Sequence, residues 1–434
     1  MKKRVFRKSF ILLLFIMGTV LSGFSVDKKT AFRIERAISE NLQEIIRLRR
    51  FIHMNPELSN REFQTARAVA AKLMSLELEV KTGVAKTGVV ALLRGEQPGF
   101  TVAIRADMDA LPIQEMTSVP FKSLNPGVMH ACGHDVHTAI GVGTAVVLNT
   151  LKDRIHGSVK FIFQPAEEGA PFGEEGGADL MIKEGVLENP SVGAIFGLHV
   201  WPQPLGNVYF SPGSIMASSD WFRVAIKGKS AHGARPHEGK DAIAIAAQTI
   251  VSLQSIISRS INPTDPAVLT IGKIYGGTKS NIIADEVTFE GTVRTFNEIT
   301  RNRIRTMMED IIRGTTQSFR MNYTFEYTMG SPSVYNHPEL AKIMSPTLEK
   351  LLGRQHVKSL APQMVAEDFA YYCRKIPGFF LLLGVKSPQI DRMAPLHSPY
   401  FIPDESCIPL GIKVMCHLIL DCLEKQKLLE ENPF

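Results

Sequence analysis

The chain has 434 residues, of which 44% are hydrophobic and 21% are charged, and its net charge is +6. This length suits two or three domains, and the composition is that of a globular protein rather than of a long disordered chain. Five of the six excess positive charges lie in residues 1–25, so the remainder carries only +1. The charge therefore argues against a nucleic acid or an anionic membrane surface as a partner.

Residues 1–25 have the pattern of a secretory signal. Five basic residues within the first eight positions precede an apolar run over 10–21, and Gly23-Phe24-Ser25 offers a small-x-small cleavage site. The apolar run is shorter than the roughly 20 residues of a comfortable membrane span. We expect cleavage after Ser25 and export to the periplasm or the extracellular space. The alternative is an uncleaved signal that tethers the protein to a membrane.

The cysteines do not form a disulfide scaffold, because their number is odd and their density is low. One disulfide among the four C-terminal cysteines is compatible with these numbers. At least one thiol then remains free, and Cys132 is the candidate for it. The five are Cys132, Cys373, Cys407, Cys416 and Cys422.

The outer parts of the chain predict an α/β domain. Helical periodicity covers residues 33–53, 62–78 and 136–151, and buried strands are predicted over 88–93, 101–105, 159–163, 194–198 and 379–383. Apolar runs of five or six residues between helices favour a mixed or largely parallel sheet that is covered on both faces.

The middle of the chain predicts a second, smaller unit. Strands are predicted over 221–227, 268–275, 286–295 and 323–327, and helices over 241–258 and 299–319. The resulting β-α-β-β-α-β order is that of a ferredoxin-like α+β unit. We place it at 218–330, as an insertion into a larger domain formed by 26–217 and 331–434.

The densest group of potential metal ligands is the sequence HACGHDVH at 130–137. The thiolate of Cys132 and the imidazole of His134 are both good transition-metal ligands, and their spacing in a loop lets them converge. The alternative is a histidine-rich helix start capped by Asp135, with no metal.

Two adjacent glutamates, Glu167 and Glu168, follow the predicted strand over 159–163. The carboxyl ends of strands are where α/β sheets place their ligands. Because adjacent side chains on extended backbone point in different directions, one carboxylate can bind metal while the other stays free as a general base. The alternative is a solvated acidic turn.

Further donors follow other predicted strands. His199 comes after 194–198, His397 comes shortly after 379–383, and Asp107 and Asp109 come after 101–105. Each has an ordinary structural explanation, a core histidine or an Asx-capped turn. Together they lie where parallel strands share one rim, so they predict a single metal site there.

Eight motifs spread in order along the chain resemble the aminoacylase/carboxypeptidase-type amidohydrolases, in particular the branch of hippurate hydrolases and indole-acetyl-amino-acid hydrolases. They are RADMDALP at 105–112, MHACGHDVH at 129–137, QPAEEG at 164–169, GLHV at 197–200, SAHGARP at 230–236, GTVRT at 291–295, AEDF at 366–369 and LHSP at 396–399. The resemblance implies a zinc-exopeptidase-like catalytic domain, interrupted by a lid and dimerisation domain at 218–330.

The resemblance also implies a ligand set for two divalent metal ions that share a bridging water, with Glu167 as general base. The metals are Zn or Mn, and Co or Ni also suit these donors. Asp107 stands where the broader family has a histidine, so we leave it outside the ligand set, and Asp109 is expected to orient a ligand. The implied ligands are Cys132, His134, Glu168, His199 and His397.

The lid residues come from the same resemblance. It implies a homodimer in which His232 reaches the partner's active site, and Asn281 and Arg294 contact the substrate carboxylate. The alternative for Arg294 is an exposed cation on a strand.

The expected reaction is hydrolysis of N-acyl-amino acids with acetyl, benzoyl or similar acyl groups. A dipeptidase or carboxypeptidase of the same family is the alternative, and a non-catalytic binding protein is a further one. Neither a Gly-x-Ser-x-Gly motif nor a phosphate-binding loop occurs. Met364-Val365 replaces the small Gly-Ser or Gly-Ala pair expected before Glu367, a departure that bears on substrate preference and not on the metal site.

Overall fold

The computed structural model describes residues 26–425. Its helices are α1 (Lys28–Met54), α2 (Phe63–Ser75), α3 (His134–Asn149), α4 (Gly177–Lys183), α5 (Ala242–Ser255), α6 (Glu298–Ser318), α7 (Pro338–Leu352), α8 (Ala370–Cys373) and α9 (Cys407–Glu424). Its strands are β1 (Glu79–Val84), β2 (Gly88–Arg94), β3 (Gln97–Asp107), β4 (His156–Gln164), β5 (Ala194–Pro204), β6 (Val208–Phe210), β7 (Gly213–Met216), β8 (Asp220–Lys227), β9 (Ala267–Gly276), β10 (Glu286–Thr295), β11 (Asn322–Met329), β12 (Val334–Asn336), β13 (Val357–Ser359) and β14 (Gly378–Lys386).

The large sheet has eight strands in the order β1-β2-β4-β3-β5-β14-β6-β13. Its central strands β4, β3, β5 and β14 are parallel to their neighbours within that group, whereas β2 and β6 join the group from either side in antiparallel pairing. The four central carboxyl ends therefore lie along one edge. The predicted α/β fold with a mixed sheet is confirmed.

Helices cover both faces of the large sheet. On one face, apolar side chains of α1, α3 and α9 share a core with the strands, and α3 is buried along its whole length from His134 to Leu148. On the other face, α4 and α8 pack over a second core. Each aliphatic side chain buried in these layers contributes about 1.5–3 kcal/mol to folding. The two layers therefore hold the sheet edge rigidly beneath the candidate site.

A second sheet contains the strands β11-β8-β10-β9 in that order, all antiparallel to their neighbours. Helices α5 and α6 close a separate core with it, which includes Phe222, Phe289, Ile304 and Met308. The sheet begins at Asp220 and ends at Met329, and its β-α-β-β-α-β order is that of the ferredoxin-like arrangement. Its roles as a lid and in dimerisation remain predictions.

Some local expectations differ from the structure. Helix α3 begins at His134, two residues earlier than predicted, and β5 continues beyond His199 to Pro204 because it keeps pairing with β14. The short strands β6, β7, β12 and β13 have three or four residues each, too few for a periodic signal. All five cysteines are free. The predicted signal at 1–25 lies outside the described residues.

A buried ion pair ties together the two points where the chain enters and leaves the second sheet. Asp220 accepts hydrogen bonds from Arg301 Nε (2.9 Å) and from the hydroxyl of Tyr327 (2.7 Å). The Arg301 guanidinium also donates to the carbonyl of Gly330 at 2.8 Å. The side chains of Arg301 and Asp220 are 2% and 0% exposed. The pair therefore links helix α6 to Asp220, where the chain enters the second sheet, and to Gly330, just after the chain leaves it.

Replacing Arg301 with methionine is expected to lower the free energy of unfolding by about 3–5 kcal/mol, because Asp220 would be left charged and buried. Urea unfolding followed by circular dichroism measures the effect. Arg313→Met on the same helix is the control, because its pair with Asp310 is half-exposed and worth at most about 1 kcal/mol. Equal losses in the two variants would contradict the structural role of the pair.

Candidate metal centre and active-site cavity

Two overlapping sets of potential metal ligands meet at the carboxyl edge of the large sheet. Cys132 Sγ lies 3.3 Å from His199 Nε2 and 3.3 Å from His397 Nε2, and His397 Nε2 lies 3.1 Å from Glu168 Oε1. Within each set the donor atoms lie within 4.8 Å of one another, and Cys132 belongs to both. The sets are Cys132, His134 and His199, and Cys132, Glu168 and His397. All five predicted ligands are thus brought together.

A glycine lets Cys132 and His134 approach the same point. Gly133 adopts a left-handed conformation with φ of +89°, and a Cβ there would lie 2.4 Å from Val200 Cγ2. Neither the conformation nor the space suits another residue. Directly after this turn α3 begins, so His134 stands in its first turn while Cys132 remains in the loop.

The orientation of His134 fits metal binding. Its Nδ1 lies 3.2 Å from Asp109 Oδ1, so its Nε2 faces the other donors. That Nε2 is buried and has no hydrogen-bond partner among residues 26–425. A buried nitrogen left without a partner costs about 1–3 kcal/mol, which a bound cation would remove. Asp109 thus has the geometry of a residue that orients a metal ligand, as expected from the sequence.

The charges around the site favour a bound cation. Burial, and then the charges of Glu168 and Glu167, raise the pKa of the Cys132 thiol well above its ordinary value. Burial alone would lower the pKa of His134, but the carboxylates of Asp107 and Asp109 outweigh it and raise that pKa to about 10. A thiolate and a neutral imidazole are the forms that bind metal, and a divalent cation reverses both shifts.

The adjacent glutamates point to different neighbours. Both carboxylates group with His134 within 4.8 Å, but Glu168 also lies beside His397, whereas Glu167 also groups with Glu367 and Asp368. Burial, and then the charge of Glu367, raise the pKa of Glu167 well above its ordinary value. A carboxyl group with a raised pKa beside a metal site is suited to take up and release a proton.

Arg105 is a fixed cation that the sequence analysis did not single out. Its guanidinium lies 2.5 Å from Asp107, 3.0 Å from Glu367 and 2.7 Å from Asp368, and it is almost fully buried. It thereby compensates three carboxylates near Glu167. The motifs RADMDALP and AEDF contain these residues, but nothing in the sequence indicates that they contact one another.

Asp107 and His137 form a further potential metal-binding group with His134. The two oxygens of Asp107 are taken by Arg105 at 2.5 Å and by His137 Nδ1 at 2.6 Å, and His137 Nε2 accepts a hydrogen bond from the amide of Val200 at 2.8 Å. These contacts agree with leaving Asp107 outside the ligand set, which remains a prediction.

A cavity of about 940 Å³ opens over the donors, between the two sheets. Both tryptophans of the chain line it, Trp201 from β5 and Trp221 from β8. Arg294 of β10 also lines the cavity and is half-buried, which lowers the pKa of its guanidinium. Within the described part of the chain it forms no ion pair. Arg294 is therefore a cation available to an anionic group in the cavity.

His232 and Asn281 lie together, but away from the candidate metal centre. The amide of Gly233 donates to the carbonyl of Asn281 at 2.8 Å, and both side chains are exposed. Neither residue lines the cavity. Their expected contribution to the active site of a partner subunit remains a prediction.

Comparisons with known proteins agree with this geometry. The model of peptidase family M20/M25/M40 matches residues 103–421. The chain is 45% identical to an N-acyl-L-amino acid amidohydrolase of Geobacillus stearothermophilus over 71% of this chain and 82% of that protein. It is 39% identical to thermostable carboxypeptidase 2 of Saccharolobus solfataricus over 89% of this chain and 97% of that protein.

A solved structure extends the agreement to the fold. It is that of a dinuclear metal binding peptidase from the M20 family of Bacillus subtilis, which matches with a TM-score of 0.75 and 36% identity over 92% of this chain and 99% of that one. The resemblance inferred from the motifs is therefore confirmed. The chain belongs to peptidase family M20/M25/M40 and is a metal-dependent hydrolase of amide bonds.

Proposed function

We propose that the protein hydrolyses the amide bond of N-acyl-amino acids and releases the free amino acid. The observation that carries the proposal is the position of Glu167, a carboxylate beside the donor sets that also lies within 3.9 Å of His134 Nε2. The N-acyl-L-amino acid amidohydrolase relative supports this substrate class. The carboxypeptidase relative favours a second candidate, removal of a C-terminal amino acid from a short peptide.

The five donors would hold two divalent ions, with Cys132 near both. Such ions polarise a carbonyl group and lower the pKa of a water molecule. The soft thiolate of Cys132 favours Zn²⁺, whereas the histidines and Glu168 also suit Mn²⁺, Co²⁺ or Ni²⁺. The dinuclear Bacillus subtilis structure supports the number of ions and leaves their identity as a proposal.

Glu167 would accept a proton from the attacking water and return it to the amine that leaves. Its side chain is only 9% exposed, so the proton is held away from bulk water between these two steps. Arg105 holds Glu367 and Asp368 in place beside it. General acid–base catalysis of this kind contributes about 10²–10⁴-fold to the rate.

Arg294 would bind the carboxylate of the substrate. An N-acyl-amino acid and a peptide with a free C-terminus both carry that group, which explains why one site suits both candidate functions. The cavity volume of about 940 Å³ admits acetyl as well as benzoyl groups. Trp201 and Trp221 would contact the apolar part of the substrate.

We also propose that the protein is exported and that it forms a homodimer. Strand β9 is an edge of the second sheet, and Ile243 and Ile274 of this unit are about half-exposed, which suits an interface with a second copy. Such an interface would let His232 and Asn281 serve the partner's cavity, where His232 would stabilise the oxyanion. Export rests on the pattern of residues 1–25.

Glu167→Ala is expected to lower kcat for N-acetyl- and N-benzoyl-amino acids by at least about 10²-fold, because the carboxylate proposed to carry the proton is removed. Steady-state assays and metal analysis of the same preparation measure the result, and bound metal should be unchanged. Glu174→Ala is the control, since Glu174 lines the same cavity but pairs with Arg61 and Lys86. Full activity of Glu167→Ala would refute the assignment.

Removal of metal by a chelator is expected to abolish hydrolysis, and Zn²⁺ or Mn²⁺ should restore it. Metal analysis of the restored protein is expected to find two equivalents per chain. Mg²⁺ serves as the comparison, because a site that contains Cys132 and three histidines suits it poorly. Undiminished activity of fully metal-free protein would contradict the proposal.

Arg294→Met is expected to raise KM for N-acyl-amino acids by about 10- to 100-fold, the equivalent of losing one hydrogen bond to a charged group. The matched control is the same substrate with its carboxylate converted to an amide, for which wild type and variant should differ little. A loss of equal size on both substrates would show that Arg294 does not bind the carboxylate.

A further inference from the structure

Two buried carboxylates hold the backbone on either side of Glu167. The amide of Ala166, the preceding residue, donates to Glu62 Oε1 at 2.9 Å, and the amide of Glu168, the following residue, donates to Asp109 Oδ2 at 3.0 Å. Glu62 is 0% exposed and Asp109 1% exposed. The direction of the Glu167 side chain is therefore fixed by two contacts that lie outside its own segment.

The segment needs such support because Ala166 adopts an unfavourable conformation. Its φ of +53° lies in the left-handed region, where an alanine is uncommon. The turn is also closely packed, since a Cβ added to Gly177 would lie 3.0 Å from the carbonyl oxygen of Ala166. A change in this turn would therefore move Glu167 relative to the metal ligands.

The backbone of Glu62 forms the N-cap of α2, whereas its side chain points to the Ala166 turn. It lies in the loop between α1 and α2, and its remaining contacts are with Thr87 Oγ1 at 2.5 Å and the amide of Asn60 at 3.0 Å. It does not line the cavity. The N-terminus of α2 is capped by a different carboxylate, because Glu57 accepts hydrogen bonds from the amides of Gln64 and Thr65 at 2.9 Å.

We propose that Glu62 is a positioning residue for Glu167: by holding the amide of Ala166 it fixes the left-handed turn that directs the Glu167 carboxylate. The inference rests on the proposed role of Glu167 as general base. The proposed role depends on the position of the Glu62 oxygen that accepts from Ala166 and not on the charge of the carboxylate. Substitutions can separate the effect of the position from the effect of the charge.

The Glu62→Gln variant keeps the position of the oxygen and removes the charge. Its amide oxygen can accept from Ala166 and Asn60 as the carboxylate does, and its NH₂ group can donate to the hydroxyl oxygen of Thr87. Glu62→Asp does the opposite, because it keeps the charge and withdraws the oxygen by one methylene group. Glu62→Ala removes both.

The expected result is a fall in kcat of about 100-fold in Glu62→Ala and Glu62→Asp, with KM within about threefold of wild type and with unchanged metal content. Glu62→Gln should recover most of the lost turnover. The matched control, Glu57→Ala, is in the same loop and should keep kcat near the wild-type value. If Glu62→Ala does not fold, the contrast between Glu62→Asp and Glu62→Gln still decides the question.

Hydrogen–deuterium exchange of the peptide that covers 161–170 gives a readout that does not depend on activity. Exchange at Ala166 should be at least about 10-fold faster in Glu62→Asp than in wild type or Glu57→Ala, because its acceptor is withdrawn. Unchanged exchange and turnover in both Glu62→Asp and Glu62→Ala would overturn the inference, as would a Glu62→Gln variant as impaired as Glu62→Asp. Inactivity of the wild type, or full activity of Glu167→Ala, would instead refute the proposed function.

Discussion

The burial of negative charge at one edge of the sheet is the constraint on which the site depends. Six carboxylates gather there, and an ionised carboxylate without compensation is costly in a protein interior. Arg105 compensates three of them, of which Asp107 also contacts the imidazole of His137, and the imidazole of His134 contacts Asp109. Divalent cations would compensate the remaining negative charge, so the electrostatics of the edge favour bound metal. The carboxylates are those of Asp107, Asp109, Glu167, Glu168, Glu367 and Asp368.

The surrounding elements hold this edge by contacts of the same kind. Asp135, next to His134, lies 2.8 Å from Arg49 Nε and 2.8 Å from His53 Nδ1, both on α1. These groups are fully buried, and Glu405 extends the network from the segment before α9 through Arg49. The first turn of α3 is thus anchored by charge to α1 and, through Arg49, to the segment before α9, while its apolar side chains pack against the sheet. Charged and apolar contacts together leave the ligands little freedom to move.

Much of this could be predicted from the sequence, and the reason is local. The strands that carry the site are continuous apolar runs, and Cys132, His134 and Glu168 stand in short segments whose composition indicates metal binding. The predicted end of the strand before His199 was wrong, because only the pairing with β14 determines that β5 continues past this residue. The contacts of Arg105 and Glu62 could not be predicted, for a different reason. Their partners Asp368 and Ala166 are 263 and 104 positions away, and one sequence contains no signal for such pairs.

The proposed division of roles between Glu167 and Glu168 rests on the backbone and not on the residue type. The two side chains are chemically identical, and they lie in a turn that follows the left-handed Ala166. Which of them meets the metal depends on the rotation of the turn, and that rotation is set by the left-handed Ala166 and by the acceptors on either side. A site of this type therefore extends beyond its ligands and its base. It includes the buried carboxylates of Glu62 and Asp109, which hold the backbone on either side of Glu167.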